Sequence, residues 1–156
     1  MDILIREAKI NDLDSILALN KALFDYEEEF NSEYNLNWTY SEKGREYFKK
    51  RLESDSSIVL VAELENKIVG YILVFIDSHS IRSNNPIAEV ENMFIDKDYR
   101  KHGLGSGFLQ ETKRIAKERG VKRLEVEVEA QNLAAIGFYK KNGFEDFEAT
   151  LQMKID

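Results

Sequence analysis

The sequence predicts an α+β fold, a mixed sheet flanked by helices, closed within one domain over residues 1–156. Segments with apolar residues at helical spacing interleave with segments that alternate apolar and polar residues. No linker, internal repeat or low-complexity stretch divides the chain, and Pro86 is its only proline. At 43% hydrophobic and 33% charged residues the composition is that of an ordinary globular domain.

The elements follow in order. Residues 3–8 read as a short first strand. Asn11 or Asp12 caps a helix carrying Leu13, Ile16, Leu17, Leu23 and Phe24. An irregular aromatic and acidic stretch, DYEEEFNSEYNLNWTY, covers 25–40. Thr39 with Glu42 has the spacing of a capping box and opens a second helix to about residue 53, with Tyr47, Phe48 and Leu52 on one side. SIVLVAEL (57–64) and KIVGYILVFI (67–76) form a hairpin around Glu65–Lys67. A polar loop follows at 77–86, then a strand at 87–95. Residues 103–119 form an amphipathic helix with Leu104, Phe108, Leu109, Thr112, Ile115 and Ala116 inward and Gly120 just past its end. KRLEVEVE (122–129) alternates as a strand with Leu124, Val126 and Val128 opposite Glu125, Glu127 and Glu129. Residues 132–141 form a short helix ended by Gly143. The tail from Phe144 to Ile155 alternates again and predicts one or two last strands.

Composition excludes several functions. The chain has 29 acids and 22 bases, a net charge of −7, which is a poor match for nucleic acid or an anionic membrane. No apolar run approaches the roughly 20 residues that span a bilayer. The N-terminus MDILIREAKI has no apolar core of a signal peptide. The absence of cysteine excludes disulfides, cysteine–zinc sites and a cysteine nucleophile, and fits a reducing, cytoplasmic setting. With only His79 and His102, no multi-histidine site is expected, and no metal. Both histidines read as loop and turn residues.

The stretch FIDKDYRKHGLGSGF (94–108) is a strand, a basic, glycine-rich turn and a helix start. Unpaired N–H groups and the helix dipole make such a place suit an anion. Gly103 and Gly105 let a phosphate approach the backbone, and Arg100, Lys101 and His102 add positive charge. The P-loop pattern is absent, Phe108 breaks the dinucleotide fingerprint, and Leu104 and Phe108 around Ser106 break a nucleophile elbow. What fits is R-x-x-G-x-G at Arg100, Gly103 and Gly105. A second motif follows at NLAAIGFYKKNGF (132–144), where Asn132, Ala135, Phe138, Tyr139, Gly143 and Phe144 match N-x-x-A-x-x-F-Y-x-x-x-G-F.

Together these two motifs, in the order β-α-α-β-β-β-α-β-α-β, resemble the GNAT superfamily of N-acetyltransferases over nearly the whole chain. The resemblance implies a sheet splayed between the strands at 87–95 and 122–129, with acetyl-CoA in the split. It implies that backbone groups of Met93, Phe94 and Ile95 pair with the pantetheine arm. The N–H groups of Lys101, His102, Gly103, Leu104, Gly105 and Ser106 would hold the pyrophosphate beside Arg100, and Asn132 would touch the cofactor near its reactive end.

Acetyl transfer to an amine needs a base, because an alkyl amine of pKa near 10.4 is neutral in only about one molecule in a few thousand at pH 7. Glu89 and Glu91 are the base candidates, acting directly or through a water. They lie two apart on a strand and face the same way unless a bulge intervenes. Glu89 stands eleven residues before Arg100, the spacing of the catalytic glutamate in the histone-acetyltransferase branch. Glu91 stands nearer the expected thioester. Tyr139, at the family's tyrosine position, is the candidate acid for the leaving thiolate. Without cysteine no cysteinyl acyl-enzyme forms, so direct attack in a ternary complex is the economical route.

By the same resemblance, residues 20–50 cover the acceptor side. Asp25, Glu27, Glu28, Glu29 and Glu33, interleaved with Tyr26, Phe30, Tyr34, Trp38 and Tyr40, suit a cation with an apolar body. The expected partner is a small, cationic primary amine. A peptide N-terminus and a non-catalytic acyl-CoA-binding role stay open, as does a homodimer.

Overall fold

The computed structural model describes residues 1–156. Five strands form one sheet in the order β1-β2-β3-β4-β5, with β1 Leu4–Glu7, β2 Ser57–Leu64, β3 Lys67–Asp77, β4 Ile87–Ile95 and β5 Arg123–Val126. The first four are antiparallel neighbours, and β5 lies parallel to β4. A parallel neighbour requires a crossover. Helix α3, Leu104–Glu118, supplies it. The β2–β3 hairpin turns at Glu65 and Asn66, both at positive φ, the pairing of a tight two-residue turn that matches strand twist.

The two central strands are buried on both faces, which explains their near-continuous apolar runs. On one face Ile58, Leu60, Ile72, Val74, Ala88 and Val90 pack under Leu104, Phe108 and Ile115 of α3. On the other, Val59, Val61, Tyr71 and Leu73 pack under α1 (Leu13–Glu27) and α2 (Glu42–Glu53) through Ile16, Leu17 and Phe48. Helix α4, Leu133–Lys141, adds Phe138 and Tyr139 to the α3 face.

Four sequence expectations change. Asp12 stands at the N-cap of α1, but its carboxylate makes no capping bond. It is taken instead by Arg6, at 2.8 and 3.0 Å, and by the Lys9 N–H at 2.7 Å, while a 3-10 turn over Ile10–Asp12 leads into the helix. Thr39 does not cap α2. Ser41 does, accepting from the Gly44 N–H, because Thr39 is fully buried and donates to Asn20 Oδ1 at 2.7 Å. Asn20 in turn donates to the Tyr71 hydroxyl at 3.0 Å, so this buried chain ties α1 and the segment before α2 to β3. Strand β5 stops at Val126 rather than 129. The tail beyond Phe144 forms no strand: residues 145–156 are all exposed and outside the sheet, because the ladder ends at β5.

No helix is long and apolar enough to cross a membrane.

Arg6 bonds Asp12 and also Glu63, at 2.6 Å, and so joins β1, the start of α1 and β2. The Arg6 hydrogen bonds hold the Asp12 carboxyl below the usual carboxylate range. A carboxyl depressed in the native state stabilises it above its unfolded pKa, and that stability is lost as pH falls through the native value. Asp12→Asn is expected to cost about 1–3 kcal/mol at pH 7. In urea unfolding, the gap between the two proteins should narrow as pH falls below about 4. A gap that stayed constant down to pH 2–3 would contradict this role for the ion pair.

Candidate active site

Strand β4 has two partners for only part of its length. It pairs with β5 from Ile87↔Arg123 to Val90↔Val126 and no further. On its other side it stays on β3 to the end, through Met93↔Ile72, Phe94↔Tyr71 and Ile95↔Gly70. The β5-side edge of residues 91–95 is therefore free, and the sheet opens there. A bulge marks the spot: Val90 pairs with Val74 and Asn92 with Leu73, leaving Glu91 as the extra residue. Before the bulge, Val90 joins the α3 face. After it, Met93 packs on that face and Phe94 on the other.

Helix α3 begins just beyond the end of β4. Gly103 is its N-cap, at φ 77°, with no side chain to cap the first N–H groups. Lys101 also sits at positive φ, 65°, a conformation uncommon outside glycine. No acid lies in the first turn. Arg100, Lys101, His102 and Gly103 are exposed, Ser106 is half-buried, and Leu104 and Gly105 are buried. Arg100 donates to the Ile95 carbonyl at 2.9 Å and leans over the Phe94 ring. The two glycines differ in what they serve. A Cβ at Gly103 would meet nothing within 4 Å, so that approach is open. A Cβ at Gly105 would lie 2.8 Å from Phe138, so glycine there lets α3 pack against α4. This is where the structure departs from the reading of Gly105 as an open approach to the backbone.

The predicted carboxylates lie on the α1–α2 face but in different surroundings. Glu91 accepts from Arg51 Nη2 at 2.8 Å and Nε at 3.2 Å, and from the Tyr47 hydroxyl. Arg51 is itself stacked over Phe75, 4.2 Å from the ring centre. Burial and the Glu91 contact push the Tyr47 phenol up. Glu89 lies opposite Phe75 on one side and Glu125 on the other, without a cation. Burial raises its pKa, and the charges of Glu127, Glu91 and Glu125 raise it further.

A second acidic group gathers Glu27, Tyr34 and Glu129. Asn31 Nδ2 donates to Glu129 at 3.2 Å. The Glu27 carboxyl is raised mainly by burial, against a hydrogen bond from Tyr34 that lowers it. Tyr34 is pushed up to about 12 by burial and by Glu27 and Glu129. Tyr139, on α4 between the rings of Phe138 and Phe144, is also pushed up to about 12, by burial and then by Glu27. Both phenols therefore stay protonated at neutral pH. Asn132 is buried and its Oδ1 caps α4 by accepting from the Ala135 N–H at 3.1 Å.

The family profile described as Acetyltransferase (GNAT) family matches residues 21–144. This chain belongs to the GNAT acetyltransferase family. It is 32% identical over 146 residues to an uncharacterized N-acetyltransferase of Methanocaldococcus jannaschii, covering 92% of this chain and 61% of the relative. It is 34% identical over 119 residues to streptothricin acetyltransferase A of Bacillus subtilis, covering 69% and 65%. The chain thus spans less than two thirds of the length of these two relatives. A mutant BH1408 protein of Bacillus halodurans superposes with a TM-score of 0.87 at 20% identity, over 97% of this chain and 99% of that one. Aminoglycoside N-acetyltransferase AAC(6')-Iy in complex with CoA does so with 0.77 at 14%, over 98% and 94%. At these identities the two structures establish the GNAT fold.

The carboxylates, Tyr139 and the turn named from the sequence stand around the β4–β5 opening. The clamp that Arg51 and Tyr47 place on Glu91 was not expected from the sequence. The i, i+4 spacing of Tyr47 and Arg51 on α2 was the available signal for the clamp.

The clamp makes a test. Arg51→Ala leaves Glu91 a largely enclosed, uncompensated charge and should cost about 2–3 kcal/mol. Adding Glu91→Gln should recover part of that loss in chemical denaturation. If the double variant lost as much as the two single losses added together, the pair would not be coupled.

Proposed function

We propose that this chain transfers the acetyl group of acetyl-CoA to a primary amine of a small, cationic molecule, by direct attack in a ternary complex. The observation that carries the reading is the acidic, aromatic cluster beside the point where β4 leaves β5. Glu129 accepts from Asn31, whose own N–H bonds the Glu27 carbonyl, and Glu89 stands on the strand that opens.

The residues present fit the cofactor. The free edge of Met93, Phe94 and Ile95 offers backbone donors and acceptors to an extended, amide-bearing arm. The uncapped start of α3, from Lys101 through Ser106, offers N–H groups and positive charge to a diphosphate. Arg100 and His102 add to that charge. Asn132 stands beyond Glu129 at the start of α4, where its amide nitrogen remains as a donor while Oδ1 serves the cap. When bound, acetyl-CoA supplies a thioester whose carbonyl carbon accepts the amine and whose sulfur leaves.

The chain's own groups then divide the proton work. Glu89 takes the ammonium proton, directly or through a water. Its raised pKa makes it a stronger base than an ordinary carboxylate. Glu91 is committed to Arg51 and Tyr47, and in this reading it positions the bulge rather than moving a proton. Tyr139 keeps its proton at neutral pH, donates it toward the departing sulfur, and is restored by the second proton that the nitrogen sheds as the amide forms. Glu27, Glu129 and the surrounding rings attract the cationic body of the acceptor. The aminoglycoside named in one structural relative is an amine-bearing substrate of that kind.

The test is thiol release from acetyl-CoA with a panel of diamines, neutral amines, acidic amines and peptide N-termini. Cationic amines should exceed neutral ones in kcat/KM by roughly tenfold or more at low salt, and salt should narrow the difference. Glu89→Gln should lower the rate roughly 100-fold and flatten the low-pH limb. That limb should lie above the ordinary carboxylate range, because a raised pKa means the base is lost to protonation earlier as pH falls. Tyr139→Phe should lower kcat more than it raises the acetyl-CoA KM. Equal rates with neutral and acidic amines, without a salt effect, would overturn the cationic acceptor. Absence of thiol release with every amine would favour the binding-module reading instead.

A further inference from the structure

Three buried side-chain oxygens have no hydrogen-bond partner in the chain: Ser57 Oγ, Thr112 Oγ1 and Asn92 Oδ1. Two of them are hydroxyls, which rotate to suit their surroundings. They lie on β2 and α3. Asn92 differs in both respects. It stands on β4, one residue past the bulge, in the stretch that has left β5. An amide oxygen can only accept. Enclosed and without a donor it weakens the folded chain, so its presence requires a reason. The residue as a whole is half-buried, so it borders solvent rather than the closed core.

The bulge decides which way Asn92 faces. Asn92 pairs with Leu73 and Phe94 with Tyr71, and Leu73, Tyr71 and Phe94 all pack in the core under α1 and α2. Glu89, before the bulge, pairs with Phe75, whose ring lies under Arg51 of α2. Without the extra residue, positions 89 and 92 would face opposite ways. With it they share the α1–α2 face. Their partners on β3 are two residues apart, which sets the two side chains about 7 Å apart along the ladder. Donors of this face are committed elsewhere: Tyr47 and Arg51 to Glu91, and the Asn20 amide to Tyr71. The fold satisfies those groups and leaves one bare acceptor beside the proposed base.

We propose that Asn92 Oδ1 receives an N–H of the attacking amine and thereby selects primary amines, an inference that rests on the acetyl transfer proposed above. A neutral primary amine has two N–H groups and one lone pair. A nitrogen midway between two oxygens about 7 Å apart lies roughly 3–3.5 Å from each, near hydrogen-bond distance. One N–H on Asn92 and the other toward Glu89, or toward its water, leave the lone pair to face the thioester carbon. A neutral N-methyl amine has one N–H instead of two, so one of the oxygens stays bare. A carboxylate in place of this amide would add a charge that repels Glu89 and Glu91. The neutral amide supplies an acceptor without that charge.

Thiol release from acetyl-CoA tests this with diaminobutane, and with any other primary amine that the protein accepts, each beside its N-methyl counterpart. Wild type should favour the primary amine by about 10–100-fold in kcat/KM. Asn92→Leu should bring the two within about threefold, by slowing the primary amine, with acetyl-CoA binding unchanged in calorimetry. Asn92→Asp keeps an oxygen in place and should keep the preference. Leucine also removes a bare, buried polar group, so Asn92→Leu should melt at the wild-type temperature or about 2–4 °C above it. A side chain that served only the fold would do the reverse, losing stability and leaving the preference intact. If leucine prevents folding, Asn92→Ala decides on the same kinetics. With an active wild type, a preference kept in Asn92→Leu, a preference lost equally in Asn92→Asp, or a weakened hold on acetyl-CoA would each overturn this proposal alone. A wild type inactive toward every amine would overturn the acetyl-transfer reading, and this proposal with it.

Discussion

The short partnership of β4 and β5 governs the molecule. Four residue pairs hold the parallel strands together, and then the strands part. The cause is local. One extra residue, Glu91, sits in the β3–β4 ladder, and β5 ends at Val126 just where the extra residue begins. A bulge bends and twists its strand, so β4 continues on β3 while turning its other edge away from the sheet. That leaves a row of backbone groups without a strand partner at the half-buried end of the ladder. Exposed backbone of this kind demands a partner. The arrangement is stable as it stands because the open stretch lies at the end of the ladder, where solvent reaches it.

The same opening brings unlike chemistries together. The start of α3 presents N–H groups and bases at one end of the free edge, and carboxylates and phenols gather at the other. Keeping several acids near one another in a half-buried place is costly, and the structure meets the cost in two ways. Glu91 has a guanidinium and a phenol, and the guanidinium is itself spread over Phe75. Glu89 has no such cation, and burial and then the neighbouring acids make its carboxyl bind a proton more readily. Two carboxylates two residues apart thus acquire different properties from their neighbours alone. The division of labour proposed for them rests on that difference.

Much of the architecture was legible in the sequence because the signals were local and periodic. The apolar runs of 57–64 and 67–76, the alternation in 122–129, the helical spacing of 103–119, and glycines at 120 and 143 each correspond to an element or its end. What failed was competition for a polar side chain. Asp12 and Thr39 have the chemistry of caps, but Arg6 and Asn20, distant in sequence, claim them first. Alternation in the tail predicted one or two further strands, and the structure forms none, because the ladder ends at β5. At the site, the turn at 100–106 was readable from glycines and bases. The reason for Gly105 was not, since it lies in the ring of Phe138, which approaches only in three dimensions. The partners of Glu91 come from a helix some 40 residues earlier; their i, i+4 spacing puts them on one face of α2 but does not say which strand they meet.

Amide hydrogen exchange with and without acetyl-CoA tests the central claim most directly, because it reads the backbone groups that the opening leaves free. Binding should slow exchange at amides of residues 91–95 and 101–106 together, and leave the paired amides of β1 and β2 unchanged. Binding that protected neither stretch, or that protected a surface away from the β4–β5 opening, would contradict the account.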